Sequence, residues 1–358
     1  MRREESARHY HVDVNRMLDL VAGFPNQVAD AWEMSRGFEP PTRKIDAPLI
    51  VCGMGGSAIG GELLRDLVRL EATVPVLLVR GYTLPVFASR KTPVICVSFS
   101  GNTEEVLSTF REALTRGCPV AVITSGGKLA EEATRAGASL LVVPDGRPPR
   151  AALGYLFTPL LRLASKWGIY PVTDREIETA VRKTRRLTKK YLLDSDPANN
   201  AALELARRLY GKIPLIYSGG GLLSGAAYRW KCQFNENSKC MAFSNTFSEL
   251  GHNEVMGWDA NERIRRDIFL IMLKDYEDYP RVQKRMAITF TLLEPLAGGA
   301  VQIDSKGEKG RKGRLARLFS IITLGDFSSV YLAVEYGKDP TPIEKIERIK
   351  QELRSEDA

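Results

Sequence analysis

Short runs of Val, Ile and Leu alternate with longer amphipathic stretches from Ala47 to about residue 145. The apolar runs are APLIVCG, VPVLLVR, TPVICVSFS, PVAVITSG and SLLVVP, and helical patterns such as SAIGGELLRDLVRL and TEEVLSTFREALTRG separate them. Strands that are apolar along their whole length belong to parallel sheets covered by helices on both faces. The alternation therefore predicts an α/β domain built on a doubly wound, mainly parallel sheet.

A similar pattern restarts at residue 212, after the proline-rich break PDGRPPR and a long helical stretch. The segment KIPLIYSGGGLLSGAAYRWKCQFNENSK repeats the order strand, glycine turn, helix, and RRDIFLIMLKD, GAVQID and SSVYLAVEYG are further apolar runs. The likeness of GMGGSAIGG to SGGGLLSGA suggests an internal duplication. We predict a helical segment at 1–44, a first α/β domain at 45–165, a helical connector at 166–210, a second α/β domain at 211–337, and a C-terminal amphipathic helix at 338–358 that packs back on the body.

The composition is typical of a soluble globular protein. A chain of 358 residues is long enough for about two domains, and 44% hydrophobic with 26% charged residues argues against a disordered chain. The charged N-terminus lacks an apolar region after it, and no apolar run approaches the roughly 18 residues of a membrane helix. We expect a cytoplasmic protein with no membrane partner. The five cysteines include no C-x-x-C pair and are expected to be reduced, although a pairing of Cys232 with Cys240 stays open.

The formal net charge of +8 suits a phosphorylated small molecule or a nucleic acid equally well. The most basic segment, SKGEKGRKGR at 305–314, has no aromatic residues between its cations, and such residues stack bases in single-stranded nucleic-acid sites. We predict that this segment is a solvated loop and that nucleic acid is not a partner.

A glycine cluster, GMGGSAIGG at 53–61, lies between a predicted buried strand and a helix. Glycines let the backbone approach an anion, and the start of the helix presents free N–H groups, so Gly55, Gly56 and Ser57 are candidate phosphate ligands. Dinucleotide-binding folds have similar clusters but place Asp or Glu at the end of the second strand. Here that strand ends in Arg80, which weakens the nicotinamide alternative without removing it.

A second loop, SFSGNTEE at 98–105, also joins a strand to a predicted helix. Ser98, Ser100 and Thr103 could donate three hydroxyl hydrogen bonds to one phosphate, beside the free N–H groups at the helix start. The alternative is a serine-rich helix cap that holds no ligand.

Six motifs together resemble the bifunctional phosphoglucose/phosphomannose isomerases, a family found chiefly in archaea and built from two sugar isomerase (SIS) domains. In chain order these motifs are GMGGSAIGG, SFSGNTEE, PRAALGY, FNENSK, ELGHNEVMGW and DPTPIEKIERIK. The resemblance implies reversible isomerisation of glucose 6-phosphate and mannose 6-phosphate to fructose 6-phosphate through a cis-enediol, without a metal or other cofactor. It also implies a homodimer.

The resemblance also implies four catalytic residues. Glu236 in FNENSK would be the base that moves a proton between C2 and C1, and His252 in ELGHNEV would assist ring opening and could be delivered across a dimer interface. Arg150 in PRAALGY would stabilise the enediolate charge. Lys350 matches the family's C-terminal lysine, and Lys345 competes with it for that match.

Besides the nicotinamide alternative, three other functions compete with this one. SIS domains also serve as sugar-phosphate sensors in transcription regulators, but no DNA-binding module is evident in residues 1–45. An aminosugar synthase would need a glutaminase domain. A zinc-dependent mannose isomerase would need several His and Glu ligands, whereas this sequence has only His9, His11 and His252.

Overall fold

The computed structural model describes residues 10–192, 197–259 and 261–356. The first nine residues of the predicted N-terminal segment and residues 193–196 of the predicted connector lie outside the described residues. Two parallel sheets organise the chain, one in each predicted α/β domain, and helices flank both. The predicted fold class, α/β with two SIS domains, is confirmed.

The first sheet contains five parallel strands in the order β2-β1-β3-β4-β5. These strands are β1 (Leu49–Cys52), β2 (Val76–Val79), β3 (Val94–Ser98), β4 (Val120–Thr124) and β5 (Ser139–Val142). Side chains along β1 and β3 alternate between two hydrophobic clusters, one on each face: Val51 and Ile95 belong to one, and Ile50 and Cys96 to the other. This double burial explains why the strands are apolar along their whole length.

Helices of the first half surround this sheet. The N-terminal segment forms α1 (Met17–Ala22) and α2 (Phe24–Met34), and the domain adds α3 (Gly55–Val68), α4 (Glu104–Thr115), α5 (Gly127–Arg135) and α6 (Leu153–Lys166). Helix α6 packs against both α2 and α3. Its start places the preceding short 3-10 helix, Pro149–Ala151, against the start of α3.

The second sheet contains four parallel strands among the described residues, in the order β7-β6-β8-β9. They are β6 (Ile213–Gly219), β7 (Phe243–Phe247), β8 (Ile268–Lys274) and β9 (Ala300–Asp304). The predicted connector forms α7 (Asp174–Tyr191) and α8 (Ala201–Leu209), and the domain adds α9 (Ser224–Glu236), α10 (Glu262–Asp267), α11 (Pro280–Leu293) and α12 (Arg314–Glu335).

The apolar run SSVYLAVEYG belongs to α12 and not to a strand. The segment Arg311–Glu335 is long and apolar enough to cross a membrane, but 94% of its apolar window is buried inside the protein. Helices α7, α8 and α9 pack around it. A helix that is buried on all sides loses the amphipathic period, so its apolar runs resemble strands.

The tail forms the predicted helix, α13 (Glu344–Glu356), but the helix does not bury its apolar stripe. Ile346, Ile349 and Leu353 are 39%, 59% and 47% exposed in the single chain. The expected packing on the body of the same chain is therefore wrong.

The basic segment at 305–314 is exposed over residues 306–310, as its composition predicts, but its two arginines are held by ion pairs. Arg311 pairs with Glu71 and Glu176 at 2.8 and 3.1 Å, and Arg314 pairs with Glu277 at 2.7 Å. Because Glu71 follows α3 in the first domain, these ion pairs tie the segment across the domain junction and leave fewer free cations for a nucleic acid.

All five cysteines are free in the structure. Cys52, Cys96 and Cys118 are buried in the first domain, and burial contributes to the raised thiol pKa of Cys232 and of Cys240, the latter to about 11.

Candidate active site

The two predicted phosphate loops meet at the carboxyl edge of the first sheet. The chain leaves β1 toward β2 on one side and returns to β3 on the other, so the β1 and β3 loops flank the point where the strand order reverses. Ligands of open α/β sheets bind at this switch point. Ser57 Oγ accepts the backbone N–H of Phe99 at 3.1 Å and so joins the loops directly.

The loop at 98–105, here named the hydroxyl loop, is held in place by hydrogen bonds of its own side chains. Ser98 Oγ lies 2.8 Å from Thr103 Oγ1 and accepts the N–H of Gly101 at 3.2 Å. Gly101 has φ +66°, and a Cβ there would collide with the backbone of Gly126, so only glycine fits this turn. Ser98 is fully buried, whereas Ser100 is exposed.

Thr103 stands at the N-cap position of α4, yet its side chain does not cap the helix. The alternative of a plain serine-rich cap therefore lacks the bond that it would need. The first N–H groups of α4 and of α3 have no partners within their helices and are suited to an anion. Gly55 begins α3 with φ +49°.

Arg80, which weakened the nicotinamide alternative, has partners within the protein. Its Nη2 lies 2.8 Å from Glu62 Oε1 on α3, and its guanidinium lies over the ring of Tyr228 on α9, 4.9 Å from the centroid. Arg80 thus joins the two domains, and this role explains its position without a nucleotide phosphate.

Arg150 is only 3% exposed, and its guanidinium links three segments. Nε donates to Asn237 Oδ1 at 2.7 Å, and Nη2 donates to the carbonyls of Pro340 and Thr341 at 2.9 and 2.7 Å. Nη1 lies 3.6 Å from Glu236 Oε2. Burial lowers the pKa of Arg150, and the nearby Glu236 carboxylate opposes that change.

A second buried arginine supports this arrangement from behind. Arg229 on α9 forms two hydrogen bonds with Asp326 on α12, at 3.0 and 2.7 Å, and donates to the carbonyl of Arg150 at 2.8 Å. Gln233 also donates to Asp326. Because removing one partner of a buried ion pair leaves the other charge uncompensated, this cluster holds α9 and the Arg150 backbone in one geometry.

Arg150 also connects Glu236 to the phosphate loops. Its backbone packs on Gly56, where an added Cβ would lie 3.0 Å from Arg150 N. Glu236 ends α9, and its side chain is 23% exposed. A cavity of about 660 Å³ opens beside Glu236, and Lys239 and Lys345 also line it. The Glu236 carboxylate and the two predicted phosphate loops thus lie on either side of one arginine.

Two further polar residues belong to this arrangement, although neither entered the predicted site. Asn237 is fully buried, accepts from Arg150 and donates to Ser329 Oγ at 2.9 Å. Thr341 Oγ1 is buried and has no hydrogen-bond partner among the described residues. Both residues lie within motifs that carried the family resemblance, FNENSK and DPTPIEKIERIK. That location was the only sign in the sequence that they belong to the site.

His252 lies far from Glu236 within one chain. Glu236 ends α9, which starts beyond the carboxyl end of β6, whereas exposed His252 follows the carboxyl end of β7. At about 1.5 Å per residue, the 13 residues of α9 separate the two ends of the second sheet by roughly 20 Å. The predicted catalytic set is therefore not assembled within one chain.

Glu254, which lies in the same motif as His252, has a structural role in this region. Its carboxylate accepts from Tyr217 Oη at 2.7 Å and from the side-chain amide of Asn245. Trp258 Nε1 also donates to Tyr217 Oη, at 3.2 Å. These bonds fix the segment that carries His252 against β6 and β7.

The tail lysines differ in position. Lys345 lines the cavity beside Glu236, whereas Lys350 is exposed on α13 and does not line it. Within the single chain the geometry favours Lys345, and the assignment of Lys350 stays a prediction.

Two parallel α/β sheets, with a glycine loop and a hydroxyl loop at the switch point of the first, define a protein of the SIS-domain class. A hypothetical protein from Thermus thermophilus has a similar fold, with a TM-score of 0.75 and 15% identity over 99% of this chain and 94% of that chain. The family model of the bacterial phospho-glucose isomerase C-terminal SIS domain matches residues 198–353.

Full-length relatives narrow the class. A bifunctional phosphoglucose/phosphomannose isomerase of Caldicellulosiruptor bescii is 41% identical, over 94% of this chain and 98% of its own length. One of Aquifex aeolicus is 39% identical, over 94% and 97%. The chain belongs to the bifunctional phosphoglucose/phosphomannose isomerase family. The archaeal type that the motifs implied stays a prediction.

Proposed function

We propose that this protein interconverts glucose 6-phosphate and mannose 6-phosphate with fructose 6-phosphate through a cis-enediol, without a metal. The observation that carries the proposal is the Arg150–Glu236 pair, which places a carboxylate base beside a buried cation next to two phosphate loops. Relatives named as isomerases favour this activity over that of a non-catalytic sensor.

The 6-phosphate binds at the switch point of the first sheet. Gly55, Gly56 and Ser57 approach it from the start of α3, and Ser98, Ser100 and Thr103 approach it from the β3 loop. Exposed Ser100 and half-buried Thr103 contribute hydroxyl donors, and the helix starts contribute N–H groups. Ser98 contributes mainly by fixing Thr103.

Glu236 transfers the proton. Starting from an open-chain aldose, its carboxylate takes the proton from C2 and the C1 carbonyl becomes an enediolate oxygen. The cation of Arg150 lowers the energy of that negative charge. The hydroxyl proton on O2 passes to O1, Glu236 returns its proton to C1, and the C2 oxygen becomes the carbonyl of fructose 6-phosphate. The same base reaches the hydrogen of either epimer if the C2–C3 bond rotates after ring opening.

Ring opening uses His252 of a second copy in a homodimer. The separation of His252 from Glu236 within the chain supports this arrangement. The exposed apolar stripe of α13, together with Met241 at 65% and Phe243 at 53% exposure, offers apolar surface for the contact. The tail lysine, Lys345 or Lys350, supplies a further positive charge. Cytoplasmic location stays a prediction.

An assay of both substrates tests the proposal. Purified protein in EDTA is given glucose 6-phosphate or mannose 6-phosphate, and fructose 6-phosphate is measured. We expect product from each substrate, a fall of at least about 10²-fold for Glu236→Gln, and no change for Glu131→Gln, a matched substitution at an exposed position on α5. Absence of product from both substrates would overturn the proposal.

A further inference from the structure

Lys239 follows the end of α9 and connects it to the tail. Its ammonium donates to the carbonyl of Glu236 and, at 2.9 Å, to the carbonyl of Pro340. Pro340 O also accepts from Arg150 Nη2. One carbonyl thus joins the lysine to the arginine that faces the base.

The backbone of Lys239 is in the left-handed region, with φ +57°. Residues with a Cβ adopt this conformation at a cost, and such positions cluster at functional sites. Glycine would adopt it freely, yet the chain has lysine here. Geometry alone does not require lysine at this turn, so its side chain is the better explanation for its presence.

Charged groups of both signs lie near the ammonium. Glu236 and Asp339 stabilise its positive charge, whereas Arg150 and Lys338 oppose it. The cavity that Lys239 shares with Glu236 also exposes Cys240, Glu344 and Lys345. Burial, followed by the charge of Arg150, lowers the pKa of Lys239 to about 8.

We propose that Lys239 is a positioning residue, which holds the carboxylate of Glu236 in place for proton transfer by tying the end of α9 to Pro340. This inference rests on the proposed isomerase function. Two of the three ammonium protons are already used on the carbonyls, and the phosphate loops lie on the other domain. Loss of the ammonium should therefore lower kcat and leave KM for the sugar phosphate nearly unchanged.

Lys239→Gly is the sharpest variant. It removes the ammonium and also relieves the left-handed backbone, so the fold should keep or raise its Tm. We expect kcat to fall about 10- to 100-fold, with KM within about 3-fold of wild type. Lys239→Arg should recover most of kcat, because a guanidinium can reach both carbonyls. Lys231→Met, on α9 itself, is the control for loss of a lysine.

The pH profile separates positioning from bulk structure. Wild-type kcat should decline above about pH 8 as the ammonium loses its proton, and Lys239→Arg should move this decline upward by at least a pH unit. Unchanged kcat in Lys239→Gly, or an equal loss in the Gly and Arg variants, would overturn the inference while wild-type activity keeps the isomerase function intact. Wild-type protein without isomerase activity would instead overturn the function on which it rests.

Discussion

Arg150 and Glu236 belong to different α/β domains, yet Nη1 of the arginine lies 3.6 Å from Oε2 of the glutamate. Arg150 precedes α6 in the first domain, and Glu236 ends α9 in the second. The pair forms because α9 packs on α3, where Asp66 accepts the N–H of Gly225 at 2.6 Å. The predicted phosphate loops and the proposed base, Glu236, are therefore joined only when the two domains are docked.

Arg150 should not be replaceable by lysine. Its Nε and Nη2 form three hydrogen bonds while Nη1 faces Glu236, and a lysine ammonium cannot reproduce that planar arrangement. We expect kcat/KM to fall by about 10²- to 10³-fold in both Arg150→Lys and Arg150→Met. Steady-state kinetics with either sugar phosphate would test this. Near-normal activity in Arg150→Lys would contradict the requirement for the planar guanidinium.

The hydroxyl loop should control substrate affinity. Replacing Ser100 and Thr103 together with Ala removes two donors and leaves Glu236 in place. We expect KM to rise at least about 10-fold, equivalent to about 1.4 kcal/mol, with a smaller effect on kcat. Ser125→Ala is a control on the neighbouring β4 loop, where Ser125 Oγ donates to the carbonyl of Phe99. An unchanged KM would contradict the assignment of the hydroxyl loop to binding of the 6-phosphate.

Mixed dimers should recover activity if His252 acts across the interface. Glu236→Gln and His252→Asn are each expected to be inactive alone. Unfolding and refolding them together would produce heterodimers with one intact site, giving up to about a quarter of wild-type activity when half of the dimers are mixed and each has one of two sites. Activity that stays at the level of the single variants would place His252 outside the partner's site.

Asp278 should make stability depend on pH. Burial raises its pKa to about 6, and its carboxylate accepts the N–H of Asp275 at 3.1 Å. The folded state binds this proton more tightly than the unfolded state. The contribution of Asp278 to the free energy of unfolding is therefore fully present below about pH 4 and is lost as pH rises through 6. In the variant Asp278→Asn, the side-chain amide oxygen can still accept this hydrogen bond, but the side chain carries no charge at any pH.

Urea unfolding of wild type and Asp278→Asn at pH 4 and pH 7 measures this effect. Relative to wild type, the variant should gain about 2–3 kcal/mol of unfolding free energy between the two pH values. A stability difference that is the same at both pH values would show that Asp278 titrates normally.

The sequence predicted the parallel sheets and the glycine loop because buried strands and phosphate-binding turns leave strong local patterns. Family motifs indicated Glu236 and Arg150, but not that Arg150 is buried and faces Glu236 from another domain. The tail was mispredicted because an apolar stripe predicts burial without saying which surface provides it. The ion pairs of Arg311 were invisible for a similar reason, since Glu71 and Glu176 are distant in sequence.

Transfer of solvent hydrogen tests the central claim most directly. In deuterated water, wild-type protein converting fructose 6-phosphate should form glucose 6-phosphate and mannose 6-phosphate that carry deuterium at C2, because the protonated Glu236 exchanges with solvent before the proton returns. Glu236→Gln should incorporate none above the rate without enzyme. Deuterium incorporation by this variant at the wild-type rate, or none by active wild-type protein, would contradict the account.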